Sequence, residues 1–317
     1  MTDMTFHVVF TPRTFDRLAP FTRTLVDDPA AAVRVVANCC DADEIERMRR
    51  FAAAHVRVDD DVVVINDPSR AMVPHGEVLD TLFERSAERD FAFVDSDVFA
   101  RAGFVGEIRR RRRDHALVTT GDVAWADDDR LPAGSIDLVG RHAIGHDGFH
   151  YGSSYVACYD RGAVEEVRAR HGTTFRTAVH EQLPAAIRGR LADLGRTFRR
   201  YDTAKVLNLL LVADGHRIEH FTHPALFHLG GISDFLSYPG SAAPNPTRPW
   251  YATTGTGATR WAFARFAAAA LDDLAHGRPP ETDPSGALGA AATPQQRVIA
   301  ERVLSALAEL VARSPTA

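Results

Sequence analysis

The apolar positions of the first hundred residues alternate between short β-rich runs and stretches with helical spacing. FHVVF (6–10), VRVVAN (33–38), VVVIN (62–66) and FAFV (91–94) have the length and the branched or aromatic content of strands. Between them lie residues 14–26, a charged segment 41–54, and HGEVLDTLFERSAER from His75. In the last, Val78, Leu79, Leu82, Phe83 and Ala87 share one helical face and leave Glu84, Arg85 and Glu88 outside it. Apolar strands separated by helices predict an α/β fold with a mostly parallel sheet covered on both sides. Ligands of such sheets bind beyond the carboxyl ends of the strands.

Further along, HALVTT, SIDLV and SSYVACY read as strands, and helical periodicity returns in RGAVEEVRAR and AKVLNLLLVADG. Residues 238–249, rich in proline, serine and alanine, read as loop. Two late helices are expected at about 258–275 and 294–312, joined by the irregular GRPPETDPSGALGAAAT. The expected organisation is a main domain over 1–255 and a C-terminal helical extension over 256–317. The first divides into halves of about 1–100 and about 115–255, with loops at 140–154 and 237–254 in the second.

Composition narrows the partners. A net charge of -5 supplies no global basic field, which argues against nucleic acid and anionic membranes. Three cysteines, two of them adjacent, form neither a zinc spacing nor a disulfide framework, so a cytoplasmic location is expected. No apolar run approaches the roughly 20 residues that cross a bilayer. Lys205 is the only lysine.

Candidate chemistry concentrates at the predicted strand ends. FAFV runs into Asp95 and Asp97, and if the chain stays extended there both carboxylates share a face and converge on one point. Paired carboxylates in a crevice raise one another's pKa unless a cation sits between them, and hard oxygen ligands suit Mg2+ or Mn2+. The competing reading is a pair of solvated turn residues. After the first strand, TPRT places Thr11 and Arg13, the latter a phosphate-capable cation. Asn38 and Asp67 close the second and third strands, placed to read a base or ribose unless they serve as turn residues.

Together, TPRT, HGEVLD, FVDSD, YDTAKVLNLLLVADG and FHLGGIS, in this order over most of residues 6–233, resemble a GT-A-type glycosyltransferase of the broad family-two-like group. The resemblance implies a nucleoside-diphosphate-sugar donor, Mn2+ or Mg2+, and an acceptor hydroxyl or other nucleophile that the sequence does not name. It implies that Asp97 binds the metal, that Asp95 contacts ribose, the metal or a metal-bound water, and that a late histidine completes the site. His228 is the candidate, with His223 and His220 as alternatives. It also implies that His75 and Gly76 open a helix against the donor's diphosphate, where free amides favour an anion, and that Asp80 contacts the transferred sugar; helix capping is the plainer reading. Asp202 would be the base that deprotonates the acceptor. Its rival role is an N-cap, and Tyr201 stands where family members carry glutamate, so retention or inversion stays open.

Three further readings compete. A haloacid-dehalogenase-type phosphatase would use Asp95 as nucleophile, but carries its motif on the first strand. A sugar-1-phosphate nucleotidyltransferase opens with a glycine-rich signature that TPRT lacks. A non-catalytic module would bind the nucleotide sugar without turnover. His142, His146 and His150 have helical zinc spacing, but Gly145 and Gly148 interrupt any helix. The arginines 109–113 read as a solvated helix or turn rather than a phosphate clamp, and Cys39 and Cys40 lack a nucleophile's context. The late helices are the expected route to any homo-oligomer.

Overall fold

Seven strands of the chain form one sheet. The structure is a computed structural model and describes residues 3–121, 123–125, 130–237, 255–288 and 293–313. Its first part alternates as expected: β1 (Met4–Phe10), α1 (Phe15–Leu25), β2 (Ala31–Asn38), α2 (Ala42–Ala54), β3 (Val63–Ile65), α3 (His75–Arg85) and β4 (Asp90–Asp95). Then come β5 (Val98–Ala100), α4 (Val105–Arg112), β6 (Leu117–Thr120), three two-residue strands β7 (Arg130–Leu131), β8 (Asp137–Leu138) and β9 (Ile144–Gly145), β10 (Val156–Asp160) and α5 (Arg161–His171). The rest is β11 (Ala178–Val179), α6 (Ala185–Asp193), β12 (Arg200–Tyr201), α7 (Lys205–Ala213), β13 (Ile218–His220), β14 (Leu226–His228), α8 (Ile232–Ser237), α9 (Gly255–Ala275), α10 (Ser285–Leu288) and α11 (Pro294–Arg313).

Local chemistry sets several of these boundaries. Asp41 accepts the Glu44 amide at 2.8 Å to start α2, and Asp160 accepts the Ala163 amide at 2.9 Å to start α5. Gly172, with φ 65°, ends α5 in the left-handed conformation that glycine adopts without strain.

The sheet order is β13-β6-β10-β4-β1-β2-β3, with β10 antiparallel to both neighbours and all other pairs parallel. The mostly parallel, helix-flanked layout expected from the sequence is therefore the one adopted, and the sheet runs through both expected halves. Side chains alternate along β4: Phe91 and Phe93 enter a core with α3, α5 and α7, while Ala92 and Val94 enter the opposite one with α1 and the late helices. That second core contains Ile299, Ala300, Val303, Ala306, Leu307 and Leu310 of α11, so this face of the late helix covers the chain's own core.

The structure corrects one expectation. The arginine run is helical, as α4, but it is not wholly solvated: Arg112 is buried and pairs with Asp90 at 3.0 Å and with Asp160. The 238–249 loop, and all of 237–254 except Ser237, lie outside the described residues.

Candidate metal and active site

The chain does not stay extended through FVDSD. β4 stops at Asp95, Ser96 and Asp97 form a turn, and β5 leads away. The carboxylates converge through this turn rather than through the strand pleat. β5 pairs antiparallel with β14, setting His228 opposite Val98. On its other side His228 bridges Val123, and its carbonyl accepts the Ala124 amide at 2.8 Å. Backbone pairing on both flanks therefore delivers the imidazole to the turn.

Asp95, Asp97 and His228 each offer a ligand atom, and these atoms lie within 4.8 Å of one another. His228 Nε2 is 3.2 Å from Asp97 Oδ1 and 3.8 Å from Asp95 Oδ2. The side chains of Asp97 and His228 are each 1% exposed, whereas Asp95 at 29% forms the rim. Asp97 Oδ2 accepts the Ile232 amide at 3.2 Å. His228 Nδ1 donates to the Gly121 carbonyl at 3.0 Å, which turns Nε2 toward the carboxylates. Close as it is to Asp97, Nε2 is buried and makes no hydrogen bond.

Burial alone would lower the proton affinity of His228, but the Asp97 charge, then that of Asp95, outweigh it and hold the imidazole's pKa above its ordinary value. The cluster thus favours positive charge at its centre. Two carboxylate oxygens and one imidazole nitrogen suit Mn2+ or Mg2+, the carboxylates being the hard ligands both ions prefer. Nε2, facing both carboxylates at 3.2 and 3.8 Å, offers the same ion a nitrogen ligand. Among the late histidines, His228 is the one in this cluster. His220 Nδ1 shares a 2.9 Å hydrogen bond with the Thr119 hydroxyl, and His223 Nδ1 accepts the Ala225 amide at 3.1 Å.

Asp202 follows β12 and does not cap α7. The residue before that helix is Ala204, at φ 64°, with no side-chain cap. Asp202 Oδ2 instead accepts the Gly140 amide at 2.8 Å and Oδ1 accepts the Thr203 amide at 2.8 Å. From Gly140 a short path leads back to the metal cluster. The guanidinium of Arg141 lies 5.2 Å from the centre of the Trp125 ring, and the Trp125 indole donates to the Gly230 carbonyl at 3.0 Å, two residues past His228. Gly230 has φ +78°, and a Cβ there would fall 2.6 Å from Val123 Cγ1 and 2.9 Å from Trp125 Nε1, so this contact requires glycine.

No protein-family model and no curated protein matches the chain. Solved structures show only a distant likeness. A mannosyltransferase from Pyrobaculum calidifontis, in complex with GDP-Man and Mn2+, is 12% identical with a TM-score of 0.44, over 100% of this chain and 77% of that one. TarS 1–349 of S. aureus is 11% identical with a TM-score of 0.44, over 99% and 91%. The glycosyltransferase GlyE of Streptococcus pneumoniae, in its apo form, is 11% identical with a TM-score of 0.37, over 69% and 45%. At these scores likeness carries no functional argument, which rests on the site itself.

The remaining sequence-predicted residues divide into two groups. Thr11, Arg13 and His75 stand at the loop after β1 and the start of α3, neither fully buried. The Thr11 hydroxyl is 2.6 Å from that of Ser237, and Arg13 donates to the Ser237 carbonyl at 2.9 Å, joining the loop to α8. His75 meets Phe93 edge-on at 5.9 Å.

Asn38, Asp67, Gly76 and Asp80 each have a partner within the scaffold. The Asn38 amide is buried and exchanges two hydrogen bonds with the Val73 backbone, at 2.8 and 3.0 Å. Asp67 closes a turn on Ser69 and pairs with Arg70 at 3.1 Å. A Cβ on Gly76 would sit 2.5 Å from the Phe175 carbonyl oxygen, so the small residue admits the 175–176 backbone. Asp80 is buried and binds that same segment, accepting the Phe175 amide at 3.0 Å and facing Arg176 at 3.3 Å. The residues 142, 146 and 150 form no helix, and among the described residues no three-ligand cluster includes them.

Sequence reasoning passed over Gly121, Trp125, Arg141 and Lys205. The lone lysine carried a signal: it is 2% exposed, and its ammonium donates to the carbonyls of His142, at 2.8 Å, and Gly152, tying together the loop that carries Gly140 and Arg141.

Proposed function

We propose that the chain is a metal-dependent glycosyltransferase that moves a sugar from a nucleoside-diphosphate sugar to an acceptor hydroxyl or another nucleophile. The observation that carries this reading is the buried Asp97–His228 pair, rimmed by Asp95, at the carboxyl end of a central strand of a mostly parallel sheet. Asp95, Asp97 and His228 would hold Mn2+ or Mg2+. When bound, such an ion supplies the positive charge that anchors a diphosphate and stabilises it as leaving group.

The chain's own groups account for the remaining steps. Thr11, Arg13 and His75, beside the strand ends, bind and orient the donor, and Asp95 at the rim reaches its ribose side. Asp202 takes the proton of the acceptor hydroxyl as its oxygen bonds to the anomeric carbon. The bond from that carbon to the diphosphate breaks, and the diphosphate leaves with the electron pair. The Gly140 and Thr203 amides orient the Asp202 carboxylate.

A thermal-shift screen of nucleoside diphosphates with and without Mn2+ tests the reading. Stabilisation that needs both components supports it and identifies the base. Undiminished, metal-independent turnover of a nucleotide sugar by Asp97→Ala refutes it. Pyrophosphate release from a nucleoside triphosphate would point to nucleotidyl transfer, and a beryllofluoride adduct on Asp95 to phosphatase chemistry.

A further inference from the structure

Arg141 is a half-buried guanidinium whose Nε is buried without a hydrogen-bond acceptor. Three other arginines share that condition at Nε, namely Arg101, Arg112 and Arg196. Each of them pairs with a carboxylate: Glu309 at 2.9 Å, Asp90 at 3.0 Å and Asp147 at 2.5 Å, respectively. Arg141 has no carboxylate partner among the described residues, and its contact there is the face of Trp125. A guanidinium nitrogen withdrawn from water without an acceptor leaves its own desolvation uncompensated.

Its surroundings hold it in place. Trp125 is 6% exposed and anchored to Gly230, the following residue His142 is held by the Lys205 ammonium, and the preceding residue Gly140 is held by Asp202. A preorganised cation thus follows directly on the residue bound by the proposed base and packs on the indole anchored two residues past His228. The proposed base and metal centre contribute three carboxylates, those of Asp95, Asp97 and Asp202. A diphosphate entering among them needs more positive charge than one divalent ion brings. Arg13, the other cation assigned to the donor, gives one of its guanidinium nitrogens to a backbone carbonyl at the end of α8.

We propose that Arg141, stacked on Trp125, binds a phosphoryl oxyanion of the substrate. This assignment rests on the glycosyl-transfer reading for its context. The oxyanion belongs either to the donor's diphosphate or to a phosphate carried by the acceptor, and the planar guanidinium suits both through paired N–H donors.

Calorimetry on the full chain at low salt with Mg2+ separates the sources. Pyrophosphate titrated into the wild-type chain and into Arg141→Gln probes the donor source. Inorganic phosphate titrated into each chain already saturated with Mg2+ and pyrophosphate probes the acceptor source. A loss of about tenfold to a hundredfold in pyrophosphate affinity on Arg141→Gln assigns the donor's diphosphate. Unchanged pyrophosphate affinity with phosphate binding lost assigns an acceptor phosphate. Arg141→Lys, which keeps the charge but not the fork or the stacking, recovers only part of either loss. Equal affinities of the wild-type chain and Arg141→Gln in both arms, or no binding of either probe by the wild-type chain, overturns the proposal. Matching melting curves confirm that the variants fold. Asp97→Asn in the first arm separates the two readings: loss there with no effect of Arg141→Gln leaves the metal site standing and Arg141 rejected, and the reverse pattern rejects the metal site alone.

Discussion

Asp97→Asn changes one charge and little else. The asparagine keeps the side-chain shape and an oxygen to accept the Ile232 amide, now 3.2 Å from Asp97 Oδ2, but removes the most buried anion of a cluster whose ligand atoms span no more than 4.8 Å. Without ligands the cost is limited: His228 loses the main charge holding its pKa up and can release its proton, unlike the arginine or lysine of a broken buried pair, whose loss costs about 3–5 kcal/mol. With ligands the effect is larger. Metal and nucleoside diphosphate at about 100 times their dissociation constant stabilise the wild-type chain by about 2.7 kcal/mol. At roughly 2 °C per kcal/mol for a chain of this size, that raises Tm by about 5 °C. Changing an outer partner of a metal ligand typically costs about 10–100-fold in affinity, and changing a ligand itself costs at least as much. A hundredfold loss leaves about 0.4 kcal/mol of stabilisation at the same concentrations, a shift of about 1 °C. Differential scanning fluorimetry with each component alone and together reads the difference. A full metal-dependent shift in Asp97→Asn would show that this carboxylate is not a ligand and would remove the basis of the proposed function.

Metal affinity should rise with pH. His228 has a raised pKa in the folded chain, so its protonated form contributes stability that is complete below the ordinary value of 6.5 and is lost as pH climbs through the raised one. A cation must displace that proton, so Mn2+-dependent stabilisation should grow across the same window and then level off; a flat profile from Tm measured against pH with and without Mn2+ contradicts the assignment. Gly76→Ala forces a Cβ toward backbone atoms at 2.5 and 2.7 Å and should cost about 1–3 kcal/mol, read as a lower denaturation midpoint. Nucleotide affinity measured under native conditions should stay unchanged if packing is the role of Gly76, whereas a loss of affinity would assign Gly76 to the donor site. Gly230→Ala should displace Trp125, shifting its fluorescence and weakening pyrophosphate binding in step with Arg141→Gln; an unaltered spectrum would mean that the indole does not depend on this glycine.

Asp95, Asp97 and His228 were legible as a set because two signals coincide locally: acidic residues where an apolar strand ends, and a histidine just before a pair of glycines. For Asn38, Asp67, Gly76 and Asp80 the sequence did not separate a ligand role from a scaffold role, because the residue types that bind ligands also serve turns and tight packing. Only the partner across space separates the two uses, and for Gly76 and Asp80 that partner is a backbone segment almost a hundred residues away. Arg141 was passed over for the complementary reason. Its distinction is the lack of a carboxylate partner among the described residues, which no local pattern encodes.

Periodicity by itself determined the succession of strands and helices over the first hundred residues and the mostly parallel sheet, because side-chain spacing decides which face of each element leaves water. Tertiary structure alone decided how the reactive groups meet. The turn at Ser96 and Asp97, the pairing of β5 with β14, and the links from Asp202 through Gly140 and Arg141 to Trp125 all join residues distant in sequence. Such contacts depend on the complete backbone path and on which polar groups burial leaves to be paired, neither of which a short stretch of sequence contains.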